Sequence, residues 1–500
     1  MSWAPYSPTL LSEVGLAILA TWYLVRLVRR RNMLPLPPGP PGRPLVGNIL
    51  LMSPTKDGKT FSDDSDLISL SGLGQCIIVA NTYASAKAIL ETLNISDRPQ
   101  SVSMSELAGW KDATVFHRYD ESWKLQRRYL HQFLGTRTGL RKYDEMREAA
   151  AARFARGLLN APSSLEEQCH IFTGDLVLRI TYGYESKGHD PMIRIAEKAL
   201  QSSTEFSTPG LWLVDVLPFL QYIPAWVPGT GWKRAVETER RNVYDLVDLP
   251  LNWLKAEMAK GRVPQSFAAE MLSQPDLSPE GAFEVKWYVG PVRGSFHPDH
   301  QTTWTIFAFL SSSRAQAEID SVVGPDRLPA VSDMAALPYT HACCLEAMRY
   351  HVVAPFGLPH RAMAEDVYGD YSIPAGAAVF PNAWAISRDE NEYPQPHIFN
   401  PERYLGEKPQ LNPREWAFGF GRRLCPGRML ADESIFVVCA TALATMTFQP
   451  KTRNGRLVPI DLSQMAGLVS LPTPFEYDVK ARSERARTLT MDTVRRHQAT

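Results

Sequence analysis

Phe418-Gly-Phe-Gly421-Arg-Arg423-Leu-Cys425-Pro-Gly427-Arg428 places one cysteine at the tip of a glycine-punctuated, arginine-rich turn. Such a turn can present a thiolate to an iron. Gly421 and Gly427 permit positive backbone dihedrals and close approach of the main chain to a flat ligand, while N–H groups around Cys425 can hydrogen-bond the sulfur and keep it anionic. Taken alone, the stretch also admits a plainer account, a buried structural cysteine ahead of a helix.

Two charged patterns stand upstream of the turn. Glu346-Ala-Met-Arg349 sets an acid and a base three apart on one helical face, and Pro401-Glu402-Arg403-Tyr404 adds an arginine that can close a Glu346–Arg349–Arg403 ion-pair cluster. Alone, each is an ordinary surface pair. Further up, Trp123 and Arg127 lie four apart in Glu121-Ser-Trp-Lys-Leu-Gln-Arg-Arg128, which puts an indole N–H and a guanidinium on one helix face. An amphipathic surface helix would look the same.

The spacing Phe-x-x-Gly-x-Arg-x-Cys-x-Gly resembles the haem-ligand signature of the cytochrome P450 family, with five fixed positions within ten residues. The resemblance runs from about Pro35 to Tyr477, apart from two irregular stretches, 55–71 and 288–320. It implies a mainly α fold with small β-sheets, one large catalytic domain behind an N-terminal membrane anchor, and haem b whose iron takes Cys425 as axial thiolate. Thiolate ligation favours cleavage of an O–O bond. Phe418, Gly421 and Gly427 would shape the loop against the haem. Glu346, Arg349 and Arg403 would form the family's structural cluster near the proximal face. Haem carries two propionates, and the resemblance assigns contacts with them to Trp123, Arg127, His360 in Gly357-Leu-Pro-His360-Arg361, and Arg423. Alone, His360 reads as a structural histidine after a proline.

The family's acid–alcohol pair for oxygen activation matches only in part. In Tyr288-Val-Gly290-Pro291-Val-Arg-Gly294-Ser-Phe-His297-Pro298-Asp299-His300-Gln301-Thr302-Thr303-Trp304 both threonines are present. Asp299, however, stands three residues before Thr302 instead of beside it, and Pro291 and Pro298 oppose a continuous helix. The distal proton-delivery role falls to Thr302 or Thr303, with Asp299 as the acid. Trp304 to Asp320 leaves about 17 residues, roughly 25 Å of helix, to finish this element and begin the next. Wrongly joined exons or a true divergence would each explain it.

The chain has 500 residues, 44% of them hydrophobic, and no internal repeat, so one large domain behind an anchor is the simple organisation. Zero formal net charge gives no reason to expect nucleic acid. The six cysteines lack C-x-x-C spacing, which argues against a disulfide framework or a zinc site and for a reduced, cytosol-facing protein. From Leu10 to Val28 the chain is mostly apolar, then meets Arg29-Arg30-Arg31 and Pro35-Leu-Pro-Pro-Gly-Pro-Pro-Gly42. About 19 residues nearly cross a hydrocarbon core of about 30 Å. The arginines after the apolar run predict a single-pass anchor in the endoplasmic reticulum membrane with a cytosolic catalytic domain, although a cleaved signal peptide is the alternative. The divisions expected are 1–31 anchor with basic flank, 32–44 stiff proline-rich hinge, 45–481 catalytic domain and 482–500 a polar, disordered tail. Strands are expected at Leu67 to Ser71, Gln75 to Ala80 and Ala377 to Pro381, and helices at Ala84 to Leu93, Ala149 to Leu159 and Ala431 to Met446.

The resemblance thus implies a monooxygenase acting on an apolar small molecule. Its electrons would come from NADPH through a separate cytochrome P450 reductase, since no G-x-G-x-x-G follows a strand here. Arg422, Arg428, Lys124 and Arg128 are candidates for the docking face. Ser101 to Phe116, Phe206 to Tyr222, Ala354 to Leu358 and Gly467 to Leu471 match pocket-lining regions. The motif order is similar to fungal microsomal members of secondary metabolism. The competing readings are a haem-thiolate isomerase or dehydratase that uses no dioxygen, and a degenerate, non-catalytic haem protein.

Overall fold

The computed structural model describes residues 34–43, 47–48, 51, 61, 65–187, 190–206, 212–275, 277, 281, 284–287, 313–454, 456–458, 469–470, 473 and 475–499. Among the described residues, ten longer helices carry the fold: α1 Tyr83–Leu90, α2 Glu121–Leu134, α3 Asp144–Asn160, α4 Leu165–Tyr182, α5 Pro191–Phe206, α6 Trp232–Ala259, α7 Ser313–Val322, α8 Pro338–Tyr350, α9 Arg428–Thr445 and α10 Glu484–Ala499. The start of α1 is fixed by reciprocal caps. Thr82 Oγ1 accepts from Ser85 N at 3.2 Å, and Ser85 Oγ accepts from Thr82 N at 3.3 Å. Asp120 starts α2 likewise, its Oδ1 accepting from Trp123 N at 2.9 Å. Trp123, Gln126, Leu130, Phe133 and Leu134 then form the buried stripe of that helix.

Helix α9 is buried on nearly every side, from Leu430 to Leu443, and acts as the core rod against which α3, α7 and α8 pack. Its two acids are paired where they enter the interior. Asp432 accepts from Arg414 at 2.7 Å, and Glu433 from Arg147 at 2.5 Å and Arg137 at 3.3 Å.

A four-stranded sheet lies to one side in the order β1 (Leu67–Gly72), β2 (Gln75–Ala80), β6 (Ala378–Pro381), β3 (His360–Arg361), and β4 (Asp366–Tyr368) pairs separately with β5 (Tyr371–Ile373). The β1–β2 hairpin turns through Leu73 and Gly74, both at positive φ, the primed geometry that matches strand twist. Strand β6 runs parallel to β2 and antiparallel to β3, which delivers His360 opposite Val379. The proline-rich segment lies against both sheets: on β1, Ser69 N donates to Pro38 O at 2.7 Å and Ser69 Oγ to Pro37 O at 2.6 Å, and on β5, Ser372 N donates to Pro35 O at 2.9 Å.

Each strand and helix expected from sequence lies on an observed element, with ends displaced by a few residues. The tail differs. Residues expected to be disordered form α10, which buries Thr490 and Val494 and half-buries Ala486 at four-residue spacing against α3. Arg482 anchors its start through a double contact with Asp320, at 2.8 and 2.6 Å, and Arg485 pairs with Asp326. Small residues make that stripe, so the sequence shows little apolar periodicity even though the interface exists. Val494→Asp should free the tail, with tryptic cleavage between Arg485 and Arg496 accelerating about tenfold or more in a timed digest read by mass.

The anchor expected at 1–31 lies outside the described residues. Among those described, no helix is long and apolar enough to cross a membrane.

Candidate active site

Main-chain bonds fold the cysteine turn. Cys425 N donates to Phe418 O at 2.9 Å, Arg423 N to Phe420 O at 3.1 Å and Leu424 N to Gly421 O at 3.2 Å. Phe418 therefore contributes its carbonyl to the loop closure. Gly421, at φ +52, is pressed against the end of α1: a Cβ there would stand 2.7 Å from Leu90 O and 2.9 Å from Glu91 Cα. Gly427 departs from the positive dihedral expected, with φ −87 and ψ 6, because it is the buried residue that opens α9. Half-buried Cys425 precedes that helix start, where the dipole favours a sulfur anion. Gly421→Ala should cost about 2–4 kcal/mol, from left-handed backbone plus overpacking, read as a lower thermal midpoint of both the Soret and far-ultraviolet signals.

Beside the cysteine, three guanidiniums converge from separate parts of the chain. Arg127, on α2, donates Nη2 to Leu424 O at 2.7 Å; burial lowers its pKa and Cys425 opposes the fall. Arg423 gives Nε to Ser96 O at 2.7 Å and stacks 4.1 Å above the Trp123 ring. Burial brings it down to about 9, with Arg127 adding and Asp97 opposing. Arg98 donates Nε to Val115 O at 3.1 Å and Nη1 to Leu358 O at 3.0 Å and Pro359 O at 2.7 Å. Burial, then Arg423 and Arg127, pull it well below the ordinary arginine range. His360 Nδ1 donates to Ile95 O at 2.8 Å, and burial with Arg98 nearby holds the ring neutral.

Two corrections follow. The Trp123 indole N–H does not point at an anion site but donates to Thr114 O at 3.2 Å, and its ring lies 4.1 Å from the Arg423 guanidinium and 5.7 Å from that of Arg127. The second is an omission: Arg98 was not foreseen. Its only local signal is Asp97-Arg98-Pro99, where the proline holds Arg98 extended, and nothing in that tripeptide points to a turn so distant in the chain.

Glu346, Arg349 and Arg403 meet in the interior. Arg349 forks onto Glu346 at 2.8 and 2.7 Å, Arg403 Nε reaches Oε1 at 3.2 Å, Tyr404 OH donates to Oε2 at 2.9 Å and Asn400 N to Oε1 at 2.9 Å. This fixes the end of α8 to the Pro401–Tyr404 turn. Of the nominated pocket segments, 101–116 and 206–222 are joined by Asp215, which accepts from Ser103 N and Oγ, each at 2.7 Å. Ser470 N reaches Val353 O at 2.7 Å, beside the segment Ala354 to Leu358. Asp299, Thr302 and Thr303 lie outside the described residues.

Arg127 and Arg423 both depress Arg98, and Arg127 depresses Arg423, which marks a place that would welcome negative charge. Arg423 sharpens the point: its Nη1 and Nη2 are buried and have no hydrogen-bond partner among the described residues. Two propionate carboxylates would satisfy both the charge and the donors, so the residues present fit haem with Cys425 toward the iron.

The sequence profile of the family "Cytochrome P450" matches residues 37–239 and 311–479. Cytochrome P450 monooxygenase 208 of Postia placenta is 34% identical over 500 residues, covering 96% of this chain and 97% of that protein. Cytochrome P450 monooxygenase ppsD of Aspergillus oryzae is 33% identical over 489 residues, covering 93% and 92%. In three dimensions the chain is similar to a zebrafish cytochrome P450 determined with abiraterone, at a TM-score of 0.69 and 23% identity, over 87% of this chain and 99% of that one. By fold and by sequence the chain belongs to the cytochrome P450 family of haem-thiolate monooxygenases.

Proposed function

We propose that this monooxygenase works at a membrane surface on apolar natural products such as terpenoid or polyketide skeletons, with the residues of the cysteine turn and the arginine cluster holding its haem. The observation that carries the site is the pair of buried guanidinium nitrogens of Arg423, beside Arg98, Arg127 and Cys425, that have no hydrogen-bond partner among the described residues. Bound through the Cys425 thiolate, haem supplies dioxygen activation and O–O cleavage.

The chain's own groups have separate tasks. Cys425 holds the iron; Arg98, Arg127 and Arg423 bind and orient the propionates. Thr302 or Thr303 is assigned the distal hydroxyl, with Asp299 as its proton source. Electrons arrive from NADPH through a separate reductase, and Lys124, Arg128, Arg422 and Arg428, all exposed, are the candidates for its basic docking face. Membrane association is supported by the apolar run from Leu10 to Val28 and by Leu213, Phe219, Tyr222 and Trp226, which expose 61%, 61%, 80% and 82% of their surfaces on one segment. Fungal relatives named as cytochrome P450 monooxygenases support the oxygenase half of the reading, and the order of the sequence motifs its natural-product half.

Reconstitution with a fungal reductase, NADPH and isotopically labelled dioxygen tests the reading over a panel of terpenoid and polyketide substrates. One labelled oxygen per product is expected, dependent on both NADPH and reductase; product formed without them would point to an isomerase. Sedimentation with vesicles, lost on removal of residues 1–31 and substitution of Phe219 and Trp226 by Ser, tests the membrane half.

A further inference from the structure

We infer that Asp97 is a positioning residue of the haem site, fixing the strip Ile95–Arg98 in place and setting the electrostatic potential at the iron; the inference rests on haem seating beside Cys425 and not on turnover. Three residues of that strip take part in the site directly. Ile95 O accepts from His360 and Ser96 O from Arg423, and Arg98 supplies a guanidinium itself. Asp97 ties the strip on two sides. Its Oδ1 accepts from Tyr119 N at 2.7 Å, next to the cap of α2 that carries Trp123 and Arg127, and its Oδ2 accepts from Arg361 Nη1 at 3.0 Å, next to His360 on β3. The main chain repeats the second tie, Arg361 N donating to Asp97 O at 2.8 Å.

Three of the elements that bear cationic groups are thereby referred to one carboxylate, whose side chain is only 7% exposed. In such a place a charge is weakly screened. Asp97 also supports the charged form of both Arg98 and Arg423 against burial. A fixed negative charge near the haem disfavours the reduced, more negative state, and a fixed positive charge favours it.

This separates an electrostatic positioning role from that of a plain bracket. Asp97→Asn keeps an acceptor for Tyr119 but removes the charge, so the midpoint potential of the holoprotein should rise, and haem transfer to excess apomyoglobin should quicken about tenfold. Arg361→Gln keeps the Asp97 charge and removes its counter-ion, so the potential should fall. Opposite shifts in spectroelectrochemical titration support the inference. Shifts of the same sign, as a loosened loop would give in both variants, or no shift in either, overturn it. Should Asp97→Asn fail to retain haem, Arg361→Gln alone decides: a fall supports the role, while an unchanged or higher potential overturns it. No substrate is needed, so a haem-replete but inactive protein would defeat the functional reading and still test this one.

Discussion

Cys425→Ala is expected to abolish the red-shifted Soret band of the reduced, carbon monoxide-bound protein and to reduce monooxygenation below about a thousandth of wild type, about 4 kcal/mol of barrier. In the proposed site the sulfur does the electronic work and little of the structural work. The turn is closed by Cys425 N on Phe418 O, Arg423 N on Phe420 O and Leu424 N on Gly421 O, and all three bonds survive loss of the side chain. Arg98, Arg127 and Arg423, proposed above as the propionate contacts, are untouched by the substitution. The variant should therefore bind haem at close to wild-type stoichiometry while its spectrum loses the thiolate character. Haem content by pyridine haemochrome, measured with the carbon monoxide difference spectrum, distinguishes this from simple unfolding. A variant that kept the band, or a folded, haem-replete wild type that lacked it, would sink the ligand assignment.

Much of the site was legible wherever chemistry is written in local spacing. The ligand turn packs its informative positions within ten residues, and Glu346 and Arg349 declare a shared helical face by being three apart. Legibility failed where geometry depends on contacts made across the fold. Arg98 enters the cluster because β3 and the strip Ile95–Arg98 are bridged, which no spacing encodes. The Trp123 indole could be placed on a helix face from sequence, but its hydrogen-bond partner, Thr114 O, comes from a loop whose path the helix does not determine. Gly427 shows the limit of reading glycines: its φ of −87 is open to any residue, and its burial at the start of α9 sets its surroundings. Helix α10 was missed because Ala486, Thr490 and Val494 make a buried stripe from residues that do not stand out in composition.

Glu346→Ala should be the most destabilising substitution away from the haem, costing about 3–5 kcal/mol, because it leaves two buried guanidiniums without their shared anion. Glu346 and Arg349 have no exposed side-chain surface, and Arg403 has 3%. The carboxylate accepts from Arg349 twice, from Arg403, from Tyr404 and from Asn400, so one truncation strips five donors at once. Glu346→Gln should recover only a small part of this, since its amide N–H₂ would face donors where the carboxylate offered an acceptor. Glu402, one residue before Arg403, provides the internal control: it pairs with Arg314 at the surface, with exposures of 50% and 57%. Glu402→Ala should therefore cost about 1 kcal/mol or less. Thermal midpoints of the holoproteins, followed by far-ultraviolet circular dichroism and by the Soret band, read both variants on one scale. If Glu346→Ala moved the midpoint no further than Glu402→Ala, the cluster would not be what fastens α8 to the Pro401–Tyr404 turn, and the rigidity of the segment approaching the ligand loop would need another source.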